Sequence, residues 1–357
     1  MKSDNRKLLA AEVQETVPRA TGVYALLDDG GHVLYVGKSV NLRQRMTSYF
    51  RRDPLTAEPH LGRLVAGIRS FAWWQTRSEL LALLLEDVLI KEHLPPLNTR
   101  QREFAENRYL ELTADDFPAC LIVEHAPDFG ARDVHGPLRD KYFAAVIQDV
   151  LHRTLGIRIC SELEPVRQCL EYDIGRCAGP CRGELEPAEY LSDVTLARDF
   201  LRGSVEPVLD RLVNAMGKAA AQQQYEEAAR LRDVIETCRR FGNHQRFARE
   251  FTKSDCRVCC AEDGVEYLFA KGALLAPRVV VVACGQSNRQ APASRAAFHA
   301  EAVGGRAASI LHQPPTDRRL LADRTRIVCN WVRRRGDCCH VWFGDLEDPV
   351  REIPDGA

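Results

Sequence analysis

Between residues 17 and 100 the apolar and polar positions alternate as in a mixed α/β domain. Gly22-Val-Tyr-Ala-Leu-Leu-Asp-Asp29 and His32-Val-Leu-Tyr-Val-Gly-Lys38 are short apolar-rich runs joined across Gly30-Gly31, which predicts a β-hairpin. Asn41 to Phe50 predicts a helix with a basic face, capped by Asn41. Phe71-Ala-Trp-Trp-Gln-Thr76 predicts a third strand. Ser78 stands as a cap before Leu80, Leu81, Leu83, Leu84, Leu85, Leu89 and Ile90, a long helix ended by Pro95-Pro96. The order ββαβα, hairpin first, predicts a small antiparallel sheet flanked by helices.

Strand-like runs follow at Arg108-Tyr-Leu-Glu-Leu112 and Ala119-Cys-Leu-Ile-Val123, then a helical pattern from Ala144 to Leu155. A cysteine-bearing segment covers 160 to 184. Two helices are predicted from about 187 to 241, the second being Ala219 to Phe241, which lacks Gly and Pro. The tail from 255 reads as a separate strand-and-loop region. It ends in a helix, Asp317 to Arg335. The expected division is 17–100, a small mixed α/β domain; 101–190, connecting strands and a cysteine-rich region; 191–245, a helical hairpin; and 255–357, a small α+β region.

Composition narrows the classes. The chain has 357 residues, 45% apolar and 28% charged, which fits two or three folded domains and argues against a largely disordered chain. No stretch offers 18 uninterrupted apolar residues, and Met1-Lys2-Ser3-Asp4 starts no secretory leader, so the expectation is a cytoplasmic protein without a membrane span. With 49 basic and 50 acidic residues a uniformly basic coat is excluded, whereas a local basic groove is not. Thirteen cysteines without a leader point to reduced thiols and a metal site rather than to disulfides.

Gly22-Val23-Tyr24 followed by Tyr35-Val36-Gly37-Lys38 resembles the signature of GIY-YIG nucleases. Arg45 lies seven residues after Lys38, with Tyr49 one helical turn further on the same face. Glu86 sits within the leucine-rich helix, and Asn98 follows Pro95-Pro96-Leu97. These residue types suit phosphodiester hydrolysis. A lone carboxylate suits one Mg²⁺ or Mn²⁺ that keeps most of its waters. An Arg and a Lys can hold the scissile phosphate. A phenol near a cation can have its pKa pulled below the usual value of about 10 and accept a proton from water.

A wider resemblance covers about 17 to 242. Asn41-Leu-Arg-Gln-Arg-Met-Thr-Ser-Tyr-Phe50, Leu83-Leu-Leu-Glu-Asp-Val-Leu-Ile-Lys-Glu-His93 and Cys169-Leu-Glu-Tyr-Asp-Ile-Gly-Arg-Cys-Ala-Gly-Pro-Cys181 are similar to the UvrC excinucleases, the incising components of bacterial nucleotide excision repair. The resemblance implies that Tyr24, Tyr35, Lys38, Arg45, Tyr49, Glu86 and Asn98 fall on active-site positions, with Tyr35 the general base and Glu86 the metal ligand. Lys38 and Arg45 would be phosphate-side cations, and Asn98 would orient the site. It also implies a cut in damaged double-stranded DNA on the 3′ side of the lesion.

Cys160, Cys169, Cys177 and Cys181 have the spacing C-x8-C-x7-C-x3-C, whose thiolates suit Zn²⁺ or an iron–sulfur cluster. Spacing does not choose between them; the resemblance implies a [4Fe-4S] cluster. Cys256-x2-Cys259-Cys260 with Cys338-Cys339-His340 would be a second candidate metal site, but nothing in the sequence orders those residues.

Leu212, Met216, Ala219-Ala220 and Tyr225-Glu226-Glu-Ala228-Ala229-Arg-Leu231-Arg232-Asp233-Val-Ile235 resemble the UVR motif, a helical hairpin that docks the damage-loading protein UvrB. Met216, Tyr225, Glu226, Ala229, Arg232 and Asp233 would be the partner-binding set, with Tyr225 where the family usually has Phe. An ordinary amphipathic hairpin would read similarly.

The resemblance has limits. Neither a ribonuclease-H-like second nuclease nor a helix-hairpin-helix pair is legible after 255, so the architecture approaches the shorter Cho-type homologues, although with a UVR motif. Glu103-Phe-Ala-Glu-Asn107 replaces the family's Asp-Asp-Lys segment, and residues 263 to 282, with the Val279–Val282 run, read as a remnant sheet. The tail helix sets Leu320, Leu321, Ile327, Val328, Trp331 and Val332 against a basic side of Arg318, Arg319, Arg324, Arg326, Arg333, Arg334 and Arg335, a candidate phosphate-tracking surface. Two rival readings remain: a structure-specific or mobile-element GIY-YIG nuclease outside repair, and a non-catalytic UVR-type adaptor.

Overall fold

The computed structural model describes residues 2–51, 59–98, 107–124, 132–138, 140–164, 168–183, 185–261, 264–276, 284–286, 307, 309–313, 315, 317–344 and 351–352. The chain forms two compact units, one from Met1–Phe104 with Glu250–Ala357 and one from Ala105–Arg249.

In the first unit, α1 (Lys2–Thr16) precedes β1 (Gly22–Leu27), β2 (Val33–Ser39), α2 (Leu42–Arg51), α3 (Pro59–Gly67), β3 (Ser70–Gln75) and α4 (Glu79–His93). The expected hairpin is present, with Gly31 at φ 79° closing the turn as only glycine does cheaply. β1 lies between β2 and β3, antiparallel to both; Tyr24 faces Gly37 on one side and Trp73 on the other. Ser78 caps α4 by accepting the Leu81 N–H. The sequence reading omitted α1 and α3. α1 offers a thin signal, Leu9, Val13 and Val17 spaced four apart, and all three are buried in the same apolar core as Tyr24, Leu26 and Met46.

The second unit holds β4 (Arg108–Leu112), β5 (Cys120–Val123) and β6 (Asp133–Leu138) in a sheet of order β5-β4-β6. Helices α5 (Lys141–Leu155), α6 (Leu170–Asp173), α7 (Pro187–Leu201), α8 (Glu206–Ala221) and α9 (Tyr225–Lys253) follow. The expectation of two helices over 187–241 is corrected to three. Ala219 lies in the last turn of α8 rather than opening the next helix, because Gln223 turns left-handed at φ 59° and lets the Gln224 N–H bond back to the Ala219 carbonyl. A left-handed residue that is not glycine carries no obvious mark in sequence. Gly242 does not stop α9; a Cβ there would lie 2.7 Å from Val205 Cγ1, so the glycine serves close packing.

Back in the first unit come β7 (Asp255–Cys260), β8 (Val265–Ala270), β9 (Ala273–Ala276), β10 (Cys284–Gln286), α10 (Arg318–Arg335), β11 (Cys339–Phe343) and β12 (Arg351–Glu352). One sheet has the order β12-β11-β7-β8-β9, while β10 pairs with β3 to give the order β10-β3-β1-β2. The Val279–Val282 run and residues 103–106 lie outside the described residues. α10 begins as expected at the Asp317 cap, but its basic side needs correction. Arg324 is 1% exposed, with Nη1 donating to the Gly272 carbonyl at 2.8 Å and Nη2 to that of Ile310 at 3.2 Å. Burial pulls its guanidinium down to about 10. Arg326 pairs with Asp323 at 3.0 Å. Position 324 follows Leu320 and Leu321 by one helical turn, so it falls inside the apolar stripe and survives there by capping carbonyls. Among the described residues no helix is long and apolar enough to cross a membrane.

Candidate active site

Three tyrosines meet above the β1–β2 hairpin. Tyr24 from β1, Tyr35 from β2 and Tyr49 from α2 form a triangle of rings with centroids 5.9 to 6.3 Å apart. Tyr24 Oη and Tyr49 Oη share a 2.7 Å hydrogen bond. Arg45, one turn before Tyr49, donates Nε to Tyr24 Oη at 3.3 Å and lays its guanidinium 5.3 Å from the Tyr49 ring centroid. The glycine of the second motif has a steric reason: a Cβ at Gly37 would lie 2.6 Å from Tyr24 Oη.

Glu86 reaches this site from α4. Its Oε1 accepts the Lys38 backbone N–H at 2.9 Å, while the Lys38 ammonium goes to Glu79 Oε1 at 2.8 Å. Glu86 is only 8% exposed, and burial raises its carboxyl to about 7 despite the Lys38 N–H. A buried carboxylate beside a phenol, with the nearest ammonium turned to another partner, has the donor chemistry of a hard divalent cation site. Glu86 stands alone in this, since among the described residues no three His, Cys, Asp or Glu side chains gather as a metal site.

Burial, then Tyr49 and Glu86, push Tyr35 up to about 12, and burial with Tyr49 and Tyr35 raises Tyr24 well above its usual value. Arg45 pulls both phenols down, but burial and the neighbouring oxygens outweigh it.

Asn98 does not join this cluster. Its side chain pairs with the backbone of Val36, Oδ1 accepting the N–H at 2.8 Å and Nδ2 donating to the carbonyl at 2.7 Å. Glu79 is the residue that sequence reasoning missed. Its neighbourhood to Lys38 spans 41 residues and had no local signal beyond an acidic first turn.

In the second unit Cys160, Cys169, Cys177 and Cys181 line one cavity of about 60 Å³ with His152, Arg158 and Glu171. The Gly179 N–H points at Cys177 Sγ at 3.4 Å, and Arg158 Nη1 lies 3.7 Å from Cys160 Sγ. Four thiols around one cavity have the donor chemistry of a soft metal, although among the described residues they do not gather as a metal site. The other cysteine set is ordered by strand register: Cys260 faces Cys339 and Cys259 faces His340 across β7 and β11. These too form no metal cluster among the described residues. On the helical hairpin, Leu212, Ala219, Leu231 and Ile235 seal the α8–α9 contact. Met216 is partly buried, whereas Tyr225, Glu226, Ala229, Arg232 and Asp233 are exposed.

An antiparallel sheet with a Gly-x-Tyr strand, a Tyr-x-Gly strand, an Arg-and-Tyr helix and one buried glutamate is the arrangement of a GIY-YIG nuclease domain. Three family models then match in succession: the UvrC-like GIY-YIG domain over 20–99, the UvrC/Cho excinuclease middle domain over 108–200, and the UvrB/uvrC motif over 208–238. The UvrABC system protein C of Dechloromonas aromatica is 35% identical over 242 residues, covering 67% of this chain and 39% of that protein. That of Pseudomonas fluorescens is 37% identical over 232 residues, covering 63% and 37%. The GIY-YIG N-terminal endonuclease domain of UvrC from Thermotoga maritima, solved with its catalytic magnesium, is 24% identical over 25% of this chain and 97% of that one, with a TM-score of 0.22. The chain belongs to the UvrC family of GIY-YIG proteins. It spans less than half the length of these full-length relatives.

Proposed function

We propose that this chain is a metal-dependent DNA endonuclease of nucleotide excision repair, incising damaged double-stranded DNA on the 3′ side of the lesion. The observation that carries the reading is the gathering of Tyr24, Tyr35, Tyr49 and Arg45 above the strand whose Lys38 N–H is bonded to Glu86. Glu86 would hold Mg²⁺ or Mn²⁺. When bound, the cation supplies positive charge that stabilises the phosphate at its most negative point and favours loss of protons from neighbouring oxygens. Tyr35, whose own phenol proton must first be lost to solvent as a bound cation would favour, would then take the proton of the attacking water. Lys38 and Arg45 bind the phosphate oxygens, Tyr24 and Tyr49 fix Arg45, and Asn98 keeps β2 in register.

By the same reading Cys160, Cys169, Cys177 and Cys181 hold a [4Fe-4S] cluster, with Zn²⁺ the alternative. The exposed side of the α8–α9 hairpin docks a UvrB-type loading protein, and the chain works in the cytoplasm. The test is incision of a lesion-containing duplex by the full chain, with and without the loading complex. One nick 3′ of the lesion, lost in Glu86→Ala, is expected. Unchanged cutting by Glu86→Ala in Mg²⁺ would sink the assignment, and binding without any incision would favour the adaptor reading.

A further inference from the structure

We propose that Arg335, at the end of the C-terminal helix α10, is a positioning residue for Lys38, acting through a shared Glu79 carboxylate. The proposal rests on the nuclease reading above and extends it to a residue outside the matched family domains. Glu79 Oε1 accepts the Lys38 ammonium at 2.8 Å while Glu79 Oε2 accepts Arg335 Nη2 at 3.2 Å. None of the three side chains exceeds 31% exposure. Arg335 is itself held, its guanidinium lying 5.2 Å from the Trp331 ring centroid.

The contact belongs to a matched seam between two helices. Twelve residues N-terminal to Arg335, Asp323 accepts Lys91 Nζ at 2.7 Å, and Lys91 stands twelve residues after Glu79. Equal spacings of roughly 18 Å at 1.5 Å per residue lay α10 antiparallel along α4, pinned at both ends, with Glu86 between the pins. Lys91 also bonds Asp87 at 2.6 Å, and that end of the seam is 8% exposed or less. The Glu79 carboxyl is held below its usual range, by Lys38 first and Arg335 after it.

An isolated, part-exposed Lys–Glu pair contributes little and holds no fixed geometry. Arg335 changes this by clamping the second carboxylate oxygen, so that the Glu79 side chain, and with it the Lys38 ammonium, keeps one position. Two cations around one anion also leave the group net positive, as suits a phosphate site.

Two measurements on the full chain test this. In single-turnover nicking, Arg335→Gln should lower the maximal rate about fivefold with little change in DNA affinity, while adding nothing in a Glu79→Gln background. Arg63→Gln, at an exposed position of α3, should match the wild type. Without DNA, acylation of Lys38 by an amine-reactive reagent, followed by mass spectrometry, should quicken about threefold in Arg335→Gln, as an unclamped pair opens more often. Arg335→Lys, which keeps the charge and loses the stack on Trp331, should fall between. An unchanged Lys38 acylation rate overturns the proposal whether or not the chain cuts DNA, and so do independent, additive losses in the double variant. A wild-type chain that fails to nick refutes the nuclease reading alone, leaving acylation to decide the coupling.

Discussion

Asn98→Ala isolates a side chain that stands in for a missing strand. β2 is the edge of its sheet, and beyond it the Leu97 N–H bonds to the Leu34 carbonyl at 3.1 Å. The next ladder position is filled by the Asn98 carboxamide, whose O and N meet both polar groups of Val36. Val36 is fully buried and Asn98 is 7% exposed. Truncation to Ala would strand one donor and one acceptor, at about 1–3 kcal/mol each, so roughly 3 kcal/mol is expected in total. All four tryptophans, Trp73, Trp74, Trp331 and Trp342, lie in the first unit, so denaturant unfolding followed by tryptophan fluorescence reads that unit. Asn98→Asp sharpens the test, because it keeps the acceptor but sets a carboxylate against the Val36 carbonyl. The folded state raises that carboxyl's pKa, so the variant should approach the wild type in acid and lose stability as pH rises above about 4. A loss below about 1 kcal/mol in Asn98→Ala, or an Asn98→Asp penalty independent of pH, would refute the surrogate-strand argument.

Glu86→Gln should abolish incision yet stabilise the metal-free protein: the folded carboxyl sits near 7 against an ordinary 4.5, so ionisation costs stability as pH climbs through that window, up to roughly 3 kcal/mol. Denaturation in EDTA at pH 5 and pH 8 checks this, and equal gains at both would contradict it. Gly37→Ala should push Tyr24 Oη aside, costing about 1–3 kcal/mol and most of the nicking rate, because the new Cβ has 2.6 Å where contact needs more. Cys177→Ser should lower iron or zinc content, measured by elemental analysis, and make the second unit easier to proteolyse while sparing the isolated cutting step; wild-type protein without either metal would overturn the thiolate centre.

The sequence by itself determined whatever depends on neighbours within a few residues. Alternation and a glycine turn made the β1–β2 hairpin, Ser78 with a leucine stripe made α4, and the Tyr-x-Gly and Arg-x3-Tyr spacings placed Tyr35, Arg45 and Tyr49 on facing surfaces. Those choices are local because a strand's period of two and a helix's of 3.6 fix which side chains share a face. Tertiary structure decided the remainder. It set the Asn98 carboxamide on the Val36 backbone beside Tyr35, gave Lys38 a partner in Glu79, and drew Arg324 out of a basic face to cap buried carbonyls. It also laid α10 along α4. Each of these contacts joins residues between 11 and 256 positions apart. No periodicity encodes such a meeting; it follows only once apolar burial has fixed where the elements lie and the polar groups left inside must find partners.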